Sequence, residues 1–277
     1  MTTASRRVLD SVVDLFLPRR CVQCGAGGAW LCPVCAAGLV VLDERGCPHC
    51  ACPGAVSGAC PECGGRNLAF QRAAAAFAYA GPARRLVGAC KFRALRSIAA
   101  AMADLAAPRF GAFVDGLPVA SSVEPPASPA LPKPAVLVTC VPPHRGHQLE
   151  RGFNQAELLA RELARAAGLP FARLLARERE TGAQHDLGRA GRVANVRDAF
   201  MVLPGVLQAS ERSKRVVIVD DVYTTGETLN SCATALVNAG FEPCVFVFAR
   251  TVRASFRATR SAVSARSSTA LVTASSL

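Results

Sequence analysis

Residues 215–229 read RVVIVDDVYTTGETL, and the fold follows from how that stretch divides. The apolar run 216–219 suits a strand buried on both faces of a parallel sheet, where no face is left for polar residues to alternate. It closes on two carboxylates, Asp220 and Asp221, then Tyr223 and the loop Thr224, Thr225, Gly226, Glu227 and Thr228. Leu229, Cys232, Ala233, Leu236 and Val237 recur at helical spacing as far as Gly240, a residue suited to end a helix. A loop joining a strand's carboxyl end to a helix's amino end gathers free N–H groups and the positive end of the helix dipole at one spot, which suits a phosphate. The aspartates beside it suit vicinal sugar hydroxyls and Mg²⁺, since diols and hard cations both take carboxylate oxygens. The plainer alternative is a βα turn whose Thr and Gly only cap the helix; the adjacent carboxylate pair weighs against it. A Walker loop is excluded, because the Gly-x-x-x-x-Gly-Lys spacing is absent.

Outward from this stretch, residues 135–140 and 243–249 (PCVFVFA) read as further apolar strands, the latter closing the sheet, and 199–203 as another. Residues 155–167 form an amphipathic helix with Glu157 and Arg161 one turn apart. Residues 72–107 read as a strand followed by helices, carrying Tyr79, Gly81, Lys91 and Phe92. The alternation predicts an α/β domain with a mostly parallel sheet over residues 67–252, its ligand lying beyond the strands' carboxyl ends. Residues 115–134 (DGLPVASSVEPPASPALPKP) read as a flexible insertion, and 253–277 as a disordered basic tail.

Residues 21–66 are of another kind. They hold four Cys-x-x-Cys pairs, Cys21/Cys24, Cys32/Cys35, Cys47/Cys50 and Cys60/Cys63, with Cys52 left over. Two residues between thiolates let both reach one tetrahedral ion, and two knuckles complete a Cys₄ site. One or two structural zinc ions are expected, with neighbours in sequence paired in the simplest partition and interleaving as the alternative. His49 or Cys52 can replace a ligand of the second site. Disulfides are the rival reading; a reducing compartment and the repeated knuckle spacing favour zinc. Bound metal would substitute for the core that a segment this short cannot build.

The chain has 277 residues, 51% of them hydrophobic, and a net charge of +12. Arg253, Arg257, Arg260 and Arg266 lie in the tail with no acid among them, yet the rest stays basic without them. Such a balance favours polyanions, a diphosphate or a nucleic acid, and says little about fold. Arg6 and Arg7 precede an apolar stretch that Asp10 and Asp14 interrupt, so residues 1–20 read as a short amphipathic helix (Val8, Leu9, Val12, Val13, Phe16) rather than a secretory leader. The alanine-rich stretch 73–80 is too short to span a bilayer. A soluble, cytoplasmic protein without membrane insertion is expected.

The stretch 215–229 resembles the loop by which type I phosphoribosyltransferases bind phosphoribosyl pyrophosphate. With the cysteine knuckles in front, the whole chain resembles the ComF family, the competence protein F or double-zinc-ribbon phosphoribosyltransferases. Further motifs carry that resemblance: residues 80–93 (AGPARRLVGACKFR), ending in Lys91-Phe92; Val141-Pro142-Pro143-His144-Arg145; the intact Arg151-Gly152-Phe153-Asn154-Gln155; and the spaced Arg177, Arg179, Thr181, Gln184, Leu187, Arg192, Asn195, Ala199 and Phe200. It covers about residues 10–250. Cys90 before the lysine, Gly188 and Gly191 before Arg192, the Pro-rich insertion and the tail depart from the pattern.

The resemblance implies that residues 223–228 hold the 5′-phosphate, and Asp220 and Asp221 the ribose hydroxyls or Mg²⁺. It places Arg145 and the backbone beside it near the pyrophosphate. Arg151 is either a bidentate phosphate fork or part of a helix start, with Asn154 as the cap. Lys91 is a pyrophosphate contact or a surface residue. Arg177, Arg179, Gln184, Arg192 and Asn195 fall in a non-periodic segment suited to a lid. His144, His147 and His185 lack metal-ligand spacing, and Cys140, Cys232 and Cys244 read as core residues.

Two functions stay open. One is an enzyme displacing pyrophosphate from the ribose, a pentosyl transfer whose nucleophile the sequence leaves undefined. Glutamine amidotransfer is not expected, since the early cysteines are committed to metal and the chain starts Met1-Thr2-Thr3. The other is an accessory factor in which phosphoribosyl pyrophosphate regulates binding of single-stranded DNA or of competence-machinery proteins. Membership would imply natural transformation or DNA utilisation. Trp30, Tyr79 and Tyr223 do not make a stacking track for single strands.

Overall fold

The computed structural model describes residues 19–42, 46–53, 60–92, 96–118, 136–143, 153–177, 200–204 and 214–252. The expected helix within 1–20, nearly all of the insertion 115–134 and the tail 253–277 lie outside them.

Four strands, β1 (Ala73–Ala78), β2 (Val136–Cys140), β5 (Arg215–Tyr223) and β6 (Glu242–Arg250), form one parallel sheet in the order β1-β6-β5-β2. Side chains alternate between faces along a strand, and the core divides accordingly. Val217, Val219, Phe246 and Phe248 face one layer with Leu86, Ile98, Met102, Phe110, Leu159 and Leu163. These come from α2 (Gly81–Phe92), α3 (Arg96–Asp115) and α4 (Gln155–Ala167). Val216, Ile218, Val245 and Val247 face the opposite layer with Leu229, Cys232 and Leu236 of α5 (Glu227–Asn238). Cys140, Cys232 and Cys244 are buried, as expected of core thiols. β6 is the last strand among the described residues, but it lies inside the sheet rather than closing it, because β1 pairs with one of its edges and β5 with the other.

The strand expected at 199–203 is present, but not in the parallel sheet. Phe200–Val202 (β4) pairs antiparallel with Leu175–Arg177 (β3) in a separate two-stranded sheet. Strand β5 also runs past the apolar run through both aspartates, because its ladder with β6 continues to Tyr223 opposite Arg250. Among the described residues one helix, Ser97–Asp115, is long and apolar enough to cross a membrane by length and composition. It is a longer apolar run than 73–80, and its Ile98, Met102, Ala106 and Phe110 pack into the core.

The cysteine-rich segment, which contains the one-turn helix α1 (Pro33–Ala36), lies along the sheet's edge at β1. Ala78 N donates to Val40 O at 2.8 Å, Leu42 N to Ala76 O at 3.2 Å and Ala73 N to Pro48 O at 2.8 Å.

Candidate functional site

The carboxyl end of β5 and the start of α5 meet as 215–229 foretells. Gly226 caps α5 at φ +80°. A Cβ there would lie 2.4 Å from the Tyr223 hydroxyl and 2.5 Å from its ring, so the position needs glycine for conformation and for space. Thr224, Thr225 and Glu227 are exposed around it, and Thr225 Oγ1 accepts from Glu227 N at 3.5 Å. The first turn of α5 leaves its N–H groups and dipole at this loop.

A cavity of about 250 Å³ opens beside the loop, lined by Asp220, Thr228, Lys91, Arg177, residues 141–143 and residues 153–156. Asp220 is half-buried, and its Oδ1 accepts from Asp221 N at 2.8 Å. Burial, then the neighbouring Asp221 carboxylate, push its pKa up to about 8 against the opposing pull of Lys91 and Arg177. Asp221 is buried and already engaged: Lys91 Nζ stands 3.1 Å from its Oδ2, to which Gln155 Nε2 also donates. Arg177 lies 4.6 Å from the Phe200 ring centroid with its Nε buried and without an acceptor; burial lowers its pKa. Asn154 caps α4, its Oδ1 accepting from Ala156 N at 3.1 Å while its Nδ2 donates to Val141 O at 3.0 Å. That second bond ties the cavity wall at 141–143 to the helix.

The cysteines group as neighbours in sequence. Cys21, Cys24, Cys32 and Cys35 form one tetrad, and Cys47, Cys50, Cys60 and Cys63 the other, with the sulfurs of each within 4.8 Å of one another. Cys24 and Cys32 Sγ are 3.7 Å apart, and the Cys47–Cys63 and Cys50–Cys60 pairs 3.6 Å. Four sulfurs at about 2.3 Å from a tetrahedral zinc would stand about 3.8 Å apart, so both sets fit that ion. Cys32 N also donates to Cys21 Sγ at 3.4 Å, fixing the knuckle's sulfur. Cys52 stands outside the tetrads with its Sγ near Pro53 O, and His49 is not among the ligands. None of the cysteines is in a disulfide.

Residues 149–258 match the phosphoribosyl transferase domain family. The DNA utilization protein YhgH of Salmonella typhi is 32% identical over 212 residues, covering 76% of this chain and 85% of that protein. Competence protein F of Haemophilus influenzae is 36% identical over 103 residues, 37% of this chain and 44% of that one. The chain belongs to the ComF family. An orotate phosphoribosyltransferase of Aeropyrum pernix is similar at 19% identity over 60% of this chain and 64% of that one, with a TM-score of 0.30.

Against the ComF-family motifs, Lys91, Arg177, Asp220 and Thr228 come together around the cavity. Asp221 stands behind it, bound to Lys91. Tyr223 does not line the cavity; 1% exposed, it turns its ring under Gly226 toward Arg250. Arg145, Arg151, Arg179, Gln184, Arg192 and Asn195 lie outside the described residues. The sequence reading gives no role to Arg66, whose Nη1 donates to Thr225 O at 2.8 Å and whose Nη2 pairs with Glu227. It gives none to Arg250 either, although a charge at the end of an apolar strand is a visible signal there.

Proposed function

We propose that this chain binds phosphoribosyl pyrophosphate at the carboxyl end of β5 and acts in the uptake or use of DNA. The carrying observation is a cavity that brings together the half-buried carboxyl of Asp220, the first turn of α5 at Thr228 and the cations Lys91 and Arg177. The 5′-phosphate takes the amides of residues 224–228, the ribose hydroxyls face Asp220, and the pyrophosphate lies toward Lys91, Arg177 and the 141–143 wall. Asp220 offers a hard oxygen donor that suits Mg²⁺, which would neutralise charge on the diphosphate, while Asp221 behind it holds Lys91. The chain's own residues position the sugar and keep the anionic end fixed, and in a pentosyl transfer such positioning and electrostatics supply most of the acceleration. Relatives named for DNA utilisation and competence support the biological setting. Two tetrads of free thiols suit zinc and a reducing cytoplasm.

A second reading, a ligand-regulated accessory factor without turnover, is favoured by the bonds that tie the 224–227 loop to Arg66 of the cysteine-rich segment. Calorimetry of phosphoribosyl pyrophosphate with Mg²⁺, on wild type and on Asp220→Asn/Asp221→Asn, tests the shared premise. Binding to wild type that the double variant loses supports it, and absence of binding to wild type sinks it. Release of pyrophosphate on offering nitrogen nucleophiles then separates enzyme from binder.

A further inference from the structure

Two chains of contact run from the second tetrad to the loop of residues 223–228. Along the first, Arg66 N donates to Cys63 O at 3.0 Å, and the Arg66 side chain reaches Thr225 O at 2.8 Å and the Glu227 carboxylate. Along the second, Arg250 stands with Nη2 3.9 Å from Cys50 Sγ and its guanidinium carbon 4.2 Å from the Tyr223 ring centroid. The ring of Tyr223 in turn fills the space that a side chain on Gly226 would need. The β5–β6 register sets Tyr223 opposite Arg250, and Thr251 N donates to Tyr223 O at 3.0 Å, so the pair is held at the strand ends.

Arg250 is 2% exposed, its Nε and Nη1 have no acceptor, and among the described residues it pairs with no carboxylate. A guanidinium stays charged in a protein, and burying it unpaired is costly. Four thiolates on one divalent ion leave a cluster with net negative charge, and that cluster would lie against Arg250. The surroundings of the first tetrad differ: Cys24 is exposed, and Val22, Trp30 and Leu31 beside it pack into the opposite core layer.

We propose that Arg250 is the counter-ion of a metal–thiolate cluster at Cys47, Cys50, Cys60 and Cys63, and that through Tyr223 it holds Gly226, so that metal occupancy of this tetrad sets the anion affinity of the phosphate loop. Arg250 is therefore a positioning residue, and the second tetrad is a control point for the loop as well as a staple. The inference rests on reading residues 223–228 as an anion cradle.

The test uses the full chain in its zinc-loaded form. Transfer of zinc to a chromogenic chelator gives a release rate for each site, and calorimetry with phosphoribosyl pyrophosphate, and separately with inorganic phosphate, gives affinity. Replacing groups that support metal ligands commonly costs about 10–100-fold in metal affinity or activity. Arg250→Met is accordingly expected to speed release from one site about tenfold or more and to weaken both anions by a similar factor, leaving the other site unchanged. Arg250→Lys keeps the charge but not the flat stack, and is expected to retain zinc while still losing anion affinity. Arg66→Ala cuts the other contact at a partly exposed side chain, and should weaken the anions without changing zinc release. Wild-type zinc release in Arg250→Met overturns the counter-ion role; altered release with unaltered anion affinity overturns the coupling. If wild type binds neither anion, the cradle reading fails, while the zinc-release arm still decides whether Arg250 supports the cluster.

Discussion

At the scale of single residues, the loop is over-determined at Gly226 and under-neutralised at Asp220. Gly226→Ala puts a side chain into the left-handed region, which costs about 1–3 kcal/mol, and drives its Cβ into the Tyr223 ring. Because that ring is buried against Arg250, the loop must move rather than the tyrosine. Melting should drop modestly, while affinity for phosphoribosyl pyrophosphate drops more; an unchanged binding isotherm would show that the loop does not hold the anion. Asp220 carries the opposite consequence. Its folded pKa of about 8 exceeds the ordinary 3.8, so between those values the native state holds a proton that the unfolded chain gives up, and stability falls as pH rises. Asp220→Asn removes that fall, which melting curves from pH 5 to pH 8 would register as a flatter profile. Mg²⁺ wants the ionised carboxylate, so its complex with the sugar diphosphate is expected to bind more tightly as pH rises toward 8, with proton release measurable by calorimetry in buffers of different ionisation enthalpy.

At the scale of elements, the helix that starts at Gln155 shows which parts of the site are legible and which are not. Asn154 announces itself as a cap, and the helix runs Gln155–Ala167 as its periodicity says, with Arg161 Nε 2.8 Å from Glu157. The other half of Asn154's work, its bond to Val141 O, joins segments that no local pattern relates. Asn154→Ala should cost about 0.5–2 kcal/mol for the cap. Asn154→Asp keeps an acceptor for the helix but loses the donor, so it should preserve melting and loosen the 141–143 wall, weakening the ligand. Equal effects of the two changes on melting and on affinity would mean that the wall does not depend on this bond. The same division holds elsewhere. The run 216–219 shows its burial by lacking polar residues, but pairing with Arg250 carries β5 on to Tyr223. The strand at Phe200–Val202 is legible, but its pairing with β3 is not, because β3 is only three residues long and lies across a long non-periodic segment. Arg66 is 159 residues from Thr225, and no motif spans that distance.

At the scale of the whole molecule, the cysteine-rich segment is part of the sheet's architecture. An exposed edge strand offers unpaired N–H and C=O groups to any other strand, and here Val40, Val41, Leu42 and Pro48 take up part of that edge at β1. Leu42, Cys47, Cys50, Cys60 and Phe70 belong to the same buried layer as Tyr223, Leu229 and Val247. A segment this short does not stay folded on its own burial, and an ion closing each tetrad, which the sulfur geometry fits, would hold the cover in place. Stripping zinc with a chelator under reducing conditions is therefore expected to do more than release a peripheral knob: melting temperature should fall and light scattering rise together, as β1 and the alanine-rich face beneath it are uncovered. A ligand that binds only the native state should oppose this by mass action, so phosphoribosyl pyrophosphate with Mg²⁺ should slow the stripping. Metal-free protein that stays monodisperse with unchanged melting would place the stability of the sheet entirely in its own two core layers, and would leave the contacts at β1 without a structural purpose.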